Sequence, residues 1–176
     1  MSGGGLSREA WEALRRLVAC MAANGVAAMD IYEVEDCLGK SAGRALAKLM
    51  DAGVLVYLDD GYCQFDECQF TVLPSWARTE VDVQALTFLS GHSRELMVEW
   101  LFWRYGGDDV SGDEFAWWIA RIVFDYSLYD SFDLSQYDLR RGVGVARYHI
   151  YGGVWLASYV DKCGSRRCFR YEVVKR

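Results

Sequence analysis

Residues 41–65, SAGRALAKLMDAGVLVYLDDGYCQF, decide how this chain is read. Ser41 offers a cap, and Leu46, Leu49 and Met50 recur at the spacing that gathers them on the inner side of a helix running from Ala42 to Ala52. Gly53 follows in the position where helices commonly end on a left-handed residue. VLVYL then reads as a strand, Asp59-Asp60-Gly61 as a tight turn, and YCQF (62–65) as the returning strand. A helix therefore runs straight into a hairpin. Upstream, Ser7 caps a first helix whose Trp11, Leu14, Leu17, Val18 and Met21 share one side, and Asn24-Gly25 stops it. Asp30 and Glu33 form a capping pattern that opens a short second helix through Leu38, broken by Gly39.

Three helices and a hairpin within residues 6–70 resemble the winged helix-turn-helix superfamily, as found in transcription regulators of archaea and their viruses. The resemblance implies a non-catalytic regulator that binds double-stranded DNA, or alternatively a winged helix that docks a protein and does not bind DNA, as a viral or host-interaction factor. It also implies that the third helix enters the major groove with its N-terminal residues toward the bases. The exposed positions would then be Lys40, Ser41, Gly43, Arg44, Ala47 and Lys48. Lysine and arginine suit phosphates and guanine edges, and the two small residues permit close approach. The bland reading of the same face is a set of ordinary solubilising charges. Asp59 and Asp60 at the wing tip would repel phosphates.

Pro74, the single proline, divides the chain into a first unit, 1–73, and a second, 74–176. The second unit is expected to hold helices over 79–89, 93–105 and 112–128, the last opened by a Ser111/Glu114 capping box. In that last helix Phe115, Trp118, Ile119, Ile122 and Tyr126 make one apolar stripe, and Trp117, Phe124 and Leu128 make another on the opposite side. Two stripes need two partners, so a homodimer through residues 96–128 is expected, with Trp100, Phe102 and Trp103 taking part. The stretch FDYSLYDSFDLSQYD (124–138), with Asp125, Asp130, Asp133 and Asp138, reads as a solvated loop or docking segment. From Val143, the segments VGVARYHIY, VWLASYV and CFRYEVV read as a three-stranded antiparallel meander, which makes the whole an α+β protein. The alternative is a tandem pair of winged helices. It needs a helix across 142–152, where glycines and β-branched residues are poor helix formers.

A net charge of −6 opposes indiscriminate binding to polyanions, and residues 1–73 carry six basic against eleven acidic side chains. The last fifteen residues are different, holding Lys162, Arg166, Arg167, Arg170, Lys175 and Arg176. Arg166 and Arg167 at a turn tip, with Arg170 along the strand, offer a second surface for DNA, or simply a charged edge strand. Cys63-x4-Cys68 and Cys163-x4-Cys168 each bracket a four-residue turn, which would set the cysteines opposite one another and allow two hairpin disulfides. Such bonds inside cells are a habit of hyperthermophiles, and one asparagine with fifteen arginines to four lysines leans the same way. Buried free thiols are the plainer alternative, and the pairing of Cys20 and Cys37 stays open. Neither His92 nor His149 completes a zinc spacing, so no metal or other cofactor is expected. No G-x-S-x-G, phosphate-cradling glycine loop or H-E-x-x-H occurs, and no enzyme is expected. No apolar run reaches membrane-spanning length and the start lacks the order of a secretion signal, which implies a cytoplasm, the host's if the chain is viral.

Overall fold

The structure, a computed structural model, describes residues 6–58, 68–72, 114–138, 140–141, 143–163 and 166–176. Helix α1 (Arg8–Asn24) starts where Ser7 Oγ accepts the Ala10 N–H, and it ends at a left-handed Gly25. Helix α2 (Ile31–Leu38) opens on the reciprocal capping box between Asp30 and Glu33. The next junction departs from expectation. Ser41 does not cap, because a 3-10 turn, Gly39–Ser41, leads into helix α3 (Ala42–Asp51) and the Ser41 hydroxyl donates back to Leu38 O. Gly39 makes the sharp entry with φ 68° and ψ −144°, a conformation that a side chain would strain.

Ala42, Ala45, Leu46 and Leu49 of α3 face the core. Met50, expected among them, is 37% exposed, because the buried arc centres on Ala42, Ala45 and Leu49 and position 50 falls at its margin. Strand β1 (Leu55–Leu58) pairs antiparallel with β2 (Gln69–Val72), from Leu55↔Val72 to Leu58↔Gln69. The strand that pairs with β1 is thus 69–72, further along the chain than the expected 62–65. Phe70 and Val72 are buried, Phe70 exchanges two backbone hydrogen bonds with Met29, and Thr71 Oγ1 donates to Ala27 O at 2.7 Å. These bonds tie the hairpin to the connection between α1 and α2. The Asp59-Asp60-Gly61 turn, YCQF and Cys63 lie outside the described residues, as do Pro74 and the helices expected over 79–89 and 93–105.

Helix α4 (Glu114–Asp125) ends three residues before the expected Leu128, and most of both stripes is covered by this chain itself. Trp118, Ile119 and Ile122 on one side and Trp117 and Leu128 on the other are all buried. Phe124, expected in the second stripe, is by contrast 38% exposed. Four strands follow: β3 (Ser131–Asp138), β4 (Val143–Tyr151), β5 (Val154–Cys163) and β6 (Arg166–Lys175), antiparallel in the order β3-β4-β5-β6. The expected three-stranded meander thus has a fourth strand, drawn from the acidic-aromatic stretch read as a loop. Its Ser, Asp and Gln hid it, for β3 is largely exposed and is held by its ladder to β4. Strand β4 also occupies the place where tandem winged helices require a helix.

One apolar cluster joins both ends of the chain. Helix α1 packs against α2 and α3 and equally against α4, β4, β5 and β6. Its Leu14, Leu17 and Val18 share the core with Val34, Leu49, Trp118, Ile150 and Leu156. Each such side chain contributes roughly 1.5–3 kcal/mol by leaving water. Among the described residues no helix is long and apolar enough to cross a membrane.

Candidate nucleic-acid interface

The outer side of α3 and the turn before it carries Lys40, Ser41, Gly43, Arg44 and Ala47, all exposed, with Lys48 half-buried. The inner side is packed, so this face is presented rigidly. It is not a free basic surface. Glu9, on the first turn of α1, accepts a hydrogen bond from Lys48 Nζ at 3.0 Å and lies 3.6 Å from Arg44 Nη1. The Lys48 hydrogen bond and charge, with a smaller part from Arg44, hold the Glu9 carboxyl below the usual carboxylate range. On the other flank Glu35 and Asp36 line an open groove with Gly39, Lys40, Ala42 and Gly43. Asp51 lines a second with Leu6, Ser7, Ala10, Lys48 and Ala52. Cations on α3 thus alternate with anions from α1, α2 and α3.

The C-terminal cations stand elsewhere. Arg166 and Arg167, expected at a turn tip, belong to β6, opposite Cys163 and Lys162. The β5–β6 ladder runs on as far as the Cys163–Arg166 pair, which places both arginines within the strand. The same register sets Cys168 across from Asp161, so Cys163 and Cys168 are diagonal neighbours and not opposite; their side chains lie outside the described residues. Arg170 is exposed across from Tyr159, whose hydroxyl donates to Glu172 at 2.8 Å. Arg170 thus belongs to a different element from Lys40 and Arg44.

Three features escaped the sequence. A disulfide joins Cys20, near the end of α1, to Cys37, near the end of α2, with Cα atoms 6.0 Å apart. Cys68, which the sequence did lead one to expect in a disulfide, is buried and disulfide-bonded, while its expected partner Cys63 lies outside the described residues. Second, Arg15 of α1 is 11% exposed and donates to Leu128 O, Ile150 O and the Asp130 carboxylate, with its guanidinium 5.0 Å from the Trp11 ring and 5.7 Å from Tyr151. Asp130 takes a further hydrogen bond from His149 Nδ1 at 2.8 Å, and His149 Nε2 accepts the Gly153 N–H at 3.3 Å. Burial raises the Asp130 carboxyl, but the bonds from His149 and Arg15 outweigh it and the net shift is downward. Both ring nitrogens of His149 are engaged within the fold. Third, Phe124, Tyr129, Phe132 and Tyr148 form an edge-on aromatic cluster with centroids 5.0–6.5 Å apart, of which Phe132 is 57% exposed and Phe124 38%.

Asp133 and Asp138 bond to nearby backbone, Asp133 at the register shift of β3. Asp133 accepts from the Ser135 N–H at 2.8 Å, and Asp138 accepts from the Arg140 and Arg141 N–H groups. Among the described residues no three His, Cys, Asp or Glu side chains converge as a metal site would require. Comparison with protein-family models, curated proteins and solved structures found no match to this chain.

Proposed function

We propose that the chain is a winged helix-turn-helix protein that binds double-stranded DNA to regulate transcription and does not catalyse a reaction. The observation that carries this reading is the open side of α3, where Lys40, Ser41 and Arg44 stand exposed at the helix start with only Gly43 and Ala47 between them and an approaching groove. The hairpin tied to the α1–α2 connection through Met29 and Phe70 gives α3 a fixed neighbour, as a wing would. Lys40 and Ser41 would reach base edges, and Arg170 with Arg166 and Arg167 on β6 would form a second, separate contact region. A non-catalytic role is favoured by His149, whose two nitrogens are both taken up by Asp130 and Gly153. Two copies on paired half-sites would meet through the aromatic cluster at Phe124 of α4 and Phe132 of β3, the exposed rings of the two elements. The Cys20–Cys37 bond fits an origin in a hyperthermophilic archaeon or its virus.

A fluorescence titration of labelled duplex DNA at two salt concentrations tests the reading. Binding should weaken steeply as salt rises, with Lys40→Ala lowering affinity at both. No binding at low salt would overturn it. A second reading, protein docking, is favoured by the exposed Phe124 and Phe132 rings. It requires that Phe132→Ser abolish a protein contact while every variant ignores DNA.

A further inference from the structure

Arg44 and Lys48 sit one helical turn apart on α3 and converge on a single carboxylate from another helix. Glu9 Oε2 holds Lys48 Nζ at 3.0 Å, and Glu9 Oε1 lies 3.6 Å from Arg44 Nη1. Arg44 is nonetheless 72% exposed, so an anion from outside can reach the same pair. A guanidinium and an ammonium aimed at one anionic group are the donors that bind a phosphate. We infer that Arg44 and Lys48 form one binding site for a backbone phosphate of nucleic acid, and that Glu9 is its built-in competitor. The inference rests on the DNA-binding reading above and deepens it.

Two consequences follow from the geometry. Arg44 is turned toward α1 to share an anion with Lys48, so it positions the backbone and does not read guanine; base contacts fall to Lys40 and Ser41. Exposed ion pairs of this kind are individually weak, so a phosphate, whose binding also releases condensed counterions, can displace Glu9. Once displaced, the carboxylate remains a like charge a few ångströms from the phosphate, and in water that repulsion lowers affinity by about 3- to 10-fold. Glu9 thereby makes weak, indiscriminate contacts unproductive while leaving a well-fitted site able to bind.

The test is a titration of the full chain with labelled random-sequence duplex DNA at low salt. It compares the wild type, Glu9→Gln, the Arg44→Ala/Lys48→Ala pair and the triple variant, with circular dichroism to confirm folding. Glu12→Gln makes the same change of charge on the same helix away from the pair. Expected is tightening of about 3- to 10-fold for Glu9→Gln, little change for Glu12→Gln, and no gain from Glu9→Gln when Arg44 and Lys48 are absent. If the double variant weakens binding but Glu9→Gln leaves it unchanged, or if the gain survives in the triple variant, the shared site is overturned while the DNA reading stands. If neither wild type nor Glu9→Gln binds DNA, both fall together.

Discussion

Arg15 shows how a cation can be fixed in an apolar setting. Its guanidinium fork satisfies two backbone carbonyls and a carboxylate, and two aromatic rings flank it. Arg15→Lys cannot reproduce the fork and leaves a buried carbonyl without its donor, so it should cost about 1–3 kcal/mol in urea unfolding. Asp130 is 41% exposed, and solvent screening reduces its share; Asp130→Asn should cost about 1–2 kcal/mol at pH 7. The pH dependence has a definite sign. A carboxyl whose folded pKa is depressed stabilises the fold above its unfolded pKa of about 3.9 and loses that contribution as pH falls through the lower folded value. The urea midpoints of wild type and Asp130→Asn should therefore differ at pH 7 and converge below about pH 3.9. None of this was legible in the sequence, where Asp130 looked like one more charge in an acidic run. Its partners lie 115 and 19 residues away, and no local pattern marks them.

At the scale of elements, most caps and the β4–β6 meander were readable, whereas Ser41 does not cap and strand β3 was missed. Ser7, the Asp30–Glu33 box and the left-handed Gly25 act within three or four residues, so their signals are complete in the sequence. Strand β3 depends on what it pairs with, and there composition misled. Gly144 illustrates such a dependence: its φ is 121°, and a Cβ there would collide with Gln136 O and meet Tyr137 Cα at 2.8 Å. Both obstacles are backbone of β3 and cannot swing aside. Gly144→Ala should cost about 2 kcal/mol or more and loosen β3 first, seen as faster amide exchange over 131–138 than over β5. The Cys20–Cys37 bond works between elements too. It closes a separation of 17 residues between α1 and α2, and its reduction should lower stability by about 3 kcal/mol. Thermal unfolding of the full chain with and without reductant, beside a Cys37→Ser variant, checks this.

In the whole molecule, α1 is the shared wall of the core. One side of it faces α2 and α3, and the other faces α4 and the sheet. Residues 1–73, expected from Pro74 to be a unit, would therefore expose the side of α1 that α4 and the sheet now cover. That fragment alone should lack a cooperative thermal transition, while the full chain keeps one; a sharp transition from 1–73 would refute the shared-core account. The placement of α1 also bears on the chain's birth. Cys37 leaves the ribosome only 17 residues after Cys20, whereas Ile150, whose carbonyl Arg15 holds, comes 135 residues after its partner. At ordinary rates of synthesis, about 5–20 residues per second, that interval is roughly 7–27 s. Throughout it the first two helices can be tied together while the other flank of α1 stays bare, and a nascent chain in that condition is a natural client for a chaperone.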